Sequence, residues 1–188
     1  MTPPELIIEL VAHMDAGDRR LWSADQDTRP LSELGRRQAE RLCEALAVEP
    51  FDALYSSAAL RARQSIEPLA QRFGLPISLL DGLHETDAWL PPAPWRQERF
   101  PANDPLGGAY AAGYALAALD AIGAAYSRGR VAACTHGDIL PSLIVHLIGR
   151  YELDLPAPHS TRGGWYTLTL GEAALRVEHH AVLPDFPR

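Results

Sequence analysis

Short apolar runs, each too brief for a core helix, alternate with segments of helical periodicity along most of this 188-residue chain. No other feature constrains the fold as much, because a strand–helix alternation is best satisfied by a mainly parallel sheet with helices on its faces. Residues 5–11 (ELIIELV) read as a buried strand. A polar loop covers 15–30, and a helix is expected over 32–47 with Ser32 as its N-cap. Strand 51–56 and helix 59–73 follow, the helix stopped by Gly74. A third short strand is expected at 77–80. Residues 91–108 hold five prolines and read as an irregular surface excursion. Helix 109–126, strand 130–135 and helix 138–148, ended by Gly149, complete the alternation. Residues 165–170 and 175–180 form a hairpin pattern around Gly171-Glu172. The expectation is an α/β fold of three layers, α/β/α, with a mainly parallel central sheet, and one domain spanning 1–188.

Composition narrows the function. A net charge of -7 disfavours nucleic acid and anionic membranes as partners. No apolar run approaches the roughly 20 residues a membrane span needs, and Met1–Glu5 lacks the basic region of a secretory signal. Two cysteines, Cys43 and Cys134, exclude a disulfide scaffold and suit a reducing cytoplasm. All 17 basic residues are arginine, so Schiff-base and P-loop lysine chemistry is excluded.

In parallel α/β sheets, sites form at the carboxyl ends of strands. His13 stands just past the first strand, and His136 just past the strand at 130–135, ahead of a helix start. Ser56-Ser57 end the second strand, with Arg61 at the start of the next helix. Two histidines and an arginine near a helix N-terminus suit phosphate. By spacing alone, two well-placed histidines are more often structural.

The strings resemble those of the histidine phosphatase superfamily, with its phosphoglycerate mutase-like fold, closest to the small bacterial branch that includes phosphohistidine phosphatases. Leu10-Val11-Ala12-His13 stands where that family has Leu-Val-Arg-His. Pro30-Leu31-Ser32-Glu33-Leu34-Gly35-Arg36-Arg37-Gln38-Ala39 is similar to its Pro-Leu-Thr-x-x-Gly-x-x-Gln-Ala run. Ser56-Ser57-Ala58-Ala59-Leu60-Arg61-Ala62-Arg63-Gln64-Ser65 resembles its Ser-Ser-Pro-x-x-Arg-x-x-Gln-Thr motif. Leu83-His84-Glu85 and Thr135-His136-Gly137-Asp138 complete the set, in order, over about residues 5–150.

The resemblance implies roles. His13 would be the nucleophile, Arg61 and His136 would bind the phosphoryl oxygens together with His13, and Glu85 would be the acid. Neither cofactor nor metal is implied, since cationic side chains neutralise the phosphate. The partner would be a small phosphorylated substrate or a phosphoprotein; oligomeric state is not encoded legibly. The main departure is Ala12, where the family has a phosphate-gripping arginine. Met14 and Ala58 are lesser departures. Arg19 and Arg20 are candidates for the missing charge, against a reading as solvated loop residues. A non-catalytic relative that binds a phosphorylated ligand or protein is the alternative, and an unrelated α/β hydrolase a third.

Other residues carry weaker expectations. Asp15 reads as a turn aspartate, His84 as a residue lining the cleft, and His146 as a core or interface histidine. Cys43 reads as a small core hydrophobe. His179 and His180 should point to opposite faces of a hydrated edge strand. A Cys-x5-Arg loop would need arginine where Leu140 stands, and no G-x-S-x-G is present. Trp89, Trp95, Arg96 and Arg99 belong to the excursion that would cover the cleft.

Overall fold

The computed structural model describes residues 5–85, 105–155, 163–171 and 174–181. Strands β1 (Leu6–Ala12), β2 (Ala53–Ser56), β3 (Ile77–Leu79), β4 (Gly129–Thr135), β5 (Trp165–Leu170) and β6 (Leu175–His180) form one sheet. Helices α1 (Glu33–Leu46), α2 (Leu60–Phe73), α3 (Pro105–Ala125) and α4 (Leu140–Tyr151) accompany it. The strand order is β3-β2-β4-β1-β5-β6. The first four strands run parallel, and β5 and β6 add antiparallel pairings at one side.

Alternation along the central strands sends side chains to two apolar layers. Leu6, Ile8, Leu10, Val131 and Ala133 pack with Ala115, Ile122, Leu143 and Leu147 of α3 and α4. Val11, Leu54, Ala132 and Cys134 pack with Leu42, Leu46, Ile66 and Leu69 of α1 and α2. The expected α/β/α layering follows from this division, and Cys43 is buried on α1 as expected. Glu9 is the polar exception within β1. Its carboxylate accepts from Arg130 at 2.7 and 3.0 Å and from Thr167 Oγ1 at 2.6 Å, so the buried charge is paired and bonded.

Helix boundaries follow the chemistry of their ends. Ser32 caps α1, its side chain accepting from the Gly35 N–H. Gly74 ends α2 in the left-handed conformation at φ 65°. Two boundaries differ from expectation. Residues 105–108 are helical, because Pro105 opens α3 at a position where its missing N–H costs nothing; residues 91–104 of the excursion, with Trp95, Arg96 and Arg99, lie outside the described residues, as does Trp89. Gly149 does not end α4, which runs on to Tyr151 with Glu152 taking the left-handed turn at φ 51°. A helical glycine costs only about 1 kcal/mol, which the packing of Leu143, Ile144 and Leu147 outweighs.

His146 sits on the exposed side of α4 and not in the core. Its neighbours Leu143, Ile144 and Leu147 take the buried face. On β6 both terminal histidines are half-buried rather than hydrated. His180 stacks on Trp165 at 4.6 Å, and His179 meets Tyr166 at 4.8 Å with the rings tilted by 39°. Among the described residues, no helix is long and apolar enough to cross a membrane.

Candidate active site

Parallel pairing of β1 with β4 brings their carboxyl ends together, with Ala12 opposite Thr135. The ladder continues one residue further, the His13 N–H donating to the Thr135 carbonyl at 2.9 Å. His13 and His136 therefore emerge side by side, their rings 5.2 Å apart and steeply inclined. His13 is buried, and its Nδ1 lies 2.7 Å from the Met14 carbonyl oxygen. A carbonyl only accepts, so Nδ1 carries the proton and the neutral ring's lone pair is on Nε2.

Arg61 enters from the first turn of α2 and is 2% exposed. Its Nη1 donates to the Gln26 carbonyl at 2.6 Å and its Nη2 to Glu85 Oε2 at 2.5 Å. Glu85 Oε2 also lies 3.2 Å from His136 Nδ1. The opposite edge of the His136 ring meets the Ser57 hydroxyl, with Nε2 2.8 Å from Oγ. With Nδ1–H donated to the carboxylate, Ser57 donates to Nε2, and the tautomer is fixed from both sides.

These contacts set the charge states. Burial alone would push the Glu85 carboxyl up. Hydrogen bonds to His136 and Asp138 and the charge of Arg61 outweigh it and hold the group well below the usual carboxylate range. Burial pulls His136 below the ordinary imidazole value despite the carboxylate beside it. The resting site thus holds a Glu85–Arg61 ion pair beside a neutral His136. The donor atoms of His13, Glu85 and His136 lie within 4.8 Å of one another, a spacing a metal ion can use. The Arg61 guanidinium, 2.5 Å from Glu85 and 3.3 Å from His136 Nδ1, already puts a fixed cation among those groups.

A cavity of about 640 Å³ opens over this cluster, lined by Ala12, His13, Glu85, Gly137 and Asp138 and by Asp15, Gly17, Asp18, Arg19 and Arg29 of the loop between β1 and α1. His13, Arg61, Glu85 and His136, expected together from the sequence, are brought together at the carboxyl ends of the parallel strands. His84 is adjacent but does not line the cavity; its Nε2 faces Asp27 at 3.1 Å. Arg20 pairs with Asp18 at 2.7 Å on the surface. Arg19 lies with Nη1 3.7 Å from Glu85 Oε1 and is 63% exposed.

Several residues that build the site were not singled out from the sequence. Ser65 accepts from the Met14 N–H at 2.8 Å and donates to the Arg61 carbonyl at 2.7 Å, tying the loop after His13 to the helix of Arg61. Gln38 accepts from the Asp15 N–H and Gln64 from the Leu31 N–H, at 2.8 and 2.9 Å. Gly35 lets α1 pass against Asp15, whose carbonyl oxygen would be 1.9 Å from an added Cβ. Ser32 Oγ bonds Asp15 Oδ1 at 2.6 Å, which makes Asp15 a loop-fastening residue, in keeping with a turn aspartate. The motif positions were visible in the sequence, but what they fasten is a tertiary fact.

Fold and cluster together define an α/β protein with a two-histidine, arginine and glutamate site at the end of its parallel strands. Over residues 14–89 the chain matches the histidine phosphatase superfamily (branch 1). The 8-oxo-(d)GTP phosphatase of Mycolicibacterium smegmatis is 28% identical over 176 residues, which is 94% of this chain and 48% of that protein. The chain thus spans about half the length of that relative. Among solved structures, a mycobacterial glucosyl-3-phosphoglycerate phosphatase complexed with VO3 is 21% identical with a TM-score of 0.68, over 96% of this chain and 100% of that one. The protein histidine phosphatase SixA complexed with tungstate is 19% identical with a TM-score of 0.64, over 93% and 96%. Both share the fold.

Proposed function

We propose that this chain is a phosphatase acting on a phosphomonoester or a phosphohistidine through a covalent intermediate on His13. The observation that carries the reading is the His13 Nδ1–Met14 carbonyl bond of 2.7 Å, which commits Nε2 to nucleophilic attack beside Arg61, His136 and Glu85. The names of the relatives, each a phosphatase, support it.

In the first step Nε2 attacks phosphorus, the P–O bond to the leaving group breaks, and Glu85 delivers a proton to the departing oxygen. In the second, Glu85 takes a proton from water as that water attacks the phosphohistidine, and the P–N bond breaks. As Glu85 takes up its proton it releases the His136 Nδ1–H and an Arg61 N–H, and these donate to the equatorial oxygens. Glu85 is ionised in the resting site, so it must acquire its proton on substrate binding. An incoming phosphate competes for Arg61 and adds negative charge beside the carboxyl, and both changes favour the protonated form.

His13→Ala should abolish turnover of p-nitrophenyl phosphate, and His136→Ala should lower it by about 10²–10³-fold, the range for losing one oxyanion donor. An acid-labile phosphoryl group trapped on residue 13 is the direct signature. Unchanged turnover in His13→Ala would reject the covalent mechanism. Ala12 favours a second reading, a non-catalytic member that binds a phosphorylated ligand. Vanadate binding without turnover in the native protein would select it.

A further inference from the structure

Ala12 leaves the catalytic cluster short of positive charge. Arg61, the cluster's arginine, is already matched by the Glu85 carboxylate. The cavity over them nevertheless has a buried arginine in its wall. Arg29 is 5% exposed and lines the same cavity as Ala12, His13 and Glu85. Its Nη1 donates to the carbonyls of Ala16 and Gly17 at 2.8 and 3.2 Å, and its Nε donates to Gln26 Oε1 at 3.1 Å. Those bonds fix the guanidinium plane before any ligand arrives. A preorganised, desolvated arginine is worth far more to a developing phosphoryl charge than a mobile surface one.

The loop that carries Arg29 is itself fastened at both sides of it. Asp15 is held by Ser32 and Gln38, and Leu31, two residues after Arg29, by Gln64. Arg61 shares the anchorage, because its Nη1 bonds the main chain of Gln26, the residue whose side chain holds Arg29. Arg19 lacks such support.

We propose that Arg29 is the second phosphoryl-binding arginine of this chain, taking over the charge that position 12 no longer supplies. The proposal rests on the phosphatase site described above and adds to it a residue of the same cavity lining that binds the transferred group.

The test is orthovanadate affinity, read by calorimetry and by inhibition of p-nitrophenyl phosphate hydrolysis, for the native chain, Arg29→Gln, Arg20→Gln and the double variant Ala12→Arg/Arg29→Gln. Arg29→Gln should bind about 10²-fold more weakly, as expected for loss of one charged donor. Arg20→Gln, outside the cavity on the same loop, should change affinity by less than about threefold, the effect of a surface charge. Ala12→Arg should restore most of the lost affinity in the double variant, which a merely structural role for Arg29 would not allow. Native-like affinity in Arg29→Gln, or a loss that Ala12→Arg does not repair, overturns the assignment while leaving the phosphoryl site intact. Failure of the native chain itself to bind vanadate overturns both.

Discussion

Replacing Arg61 by methionine separates what the buried ion pair does for the fold from what it does for the chemistry. Arg61 is 2% exposed and donates to Glu85 at 2.5 Å and to the Gln26 carbonyl at 2.6 Å. Methionine keeps the apolar stem and removes both bonds. Breaking one side of a buried pair leaves the other charge uncompensated and costs about 3–5 kcal/mol. At roughly 2–4 °C per kcal/mol for a chain of this size, a loss of about 4 kcal/mol lowers the melting temperature by about 8–16 °C. Glu85→Gln in the same chain removes the stranded charge, and the double variant should recover most of that loss. The orphaned Gln26 carbonyl accounts for the remaining 1–3 kcal/mol or so. Urea unfolding of the four proteins of the cycle should give a coupling of about 2–3 kcal/mol. Vanadate affinity, in contrast, should fall in Arg61→Met and stay low in the double variant, because glutamine restores no cation. A coupling near zero, or a double variant as unstable as Arg61→Met, would refute the ion pair as the source of the stability.

Two further outcomes follow from the same geometry. Stability should fall as the solution is acidified: His136 titrates lower in the folded chain than in the unfolded one, so the unfolded state takes up its proton first below about pH 6.5. Glu85, depressed in the fold, adds a second loss of the same sign below its unfolded value near 4.3; thermal melts between pH 8 and 5 should slope less in His136→Gln than in the native chain, and equal slopes would contradict the assignment. Gly35→Ala should cost at least the 1–3 kcal/mol or so of an overpacked site, because its Cβ would be 1.9 Å from the Asp15 backbone carbonyl rather than from a flexible side chain. The same variant should weaken vanadate binding by displacing the loop that holds Arg29, and an unperturbed melting temperature would show that the loop yields freely.

The strands and helices were legible because each is decided by local chemistry. Residues 5–11 are too apolar and too short for anything but a buried strand, and Ser32 and Gly74 mark helix ends that need no tertiary context. The histidines at the ends of β1 and β4 were legible for the same reason, since the strand-end rule needs only the strands. What stayed hidden were contacts between residues far apart in the chain: Ser57 on His136, Ser65 on Met14, Gln26 on both Arg61 and Arg29. His146 lies outside the core because an apolar helix packed along Leu140, Leu143, Ile144 and Leu147 still has an exposed side. Arg19, Arg20 and Arg29 look alike as arginines of one polar loop. Only the fold sorts them into one near Glu85, one paired with Asp18 and one buried in the cavity wall.

On the proposed role of Arg29, that sorting explains how the site can tolerate alanine at position 12. The substitution leaves the backbone where the family's strand would place it, since Ala12 still pairs with Thr135 and His13 still donates to the next carbonyl. The orientation of His13 depends on Met14 and Ser65, neither of which touches position 12 through a side-chain bond in the described structure. What the alanine removes is charge, not position. Charge delivered to a transferring phosphoryl group can come from any wall of the cavity, provided its donor is fixed before the substrate arrives. The loop between β1 and α1 meets that condition. Its two ends are clamped by Gln38 and Gln64, its arginine is held by three carbonyl oxygens, two of the main chain and one of Gln26, and its own fold depends on a glycine at position 35 that no side chain could replace without moving Asp15.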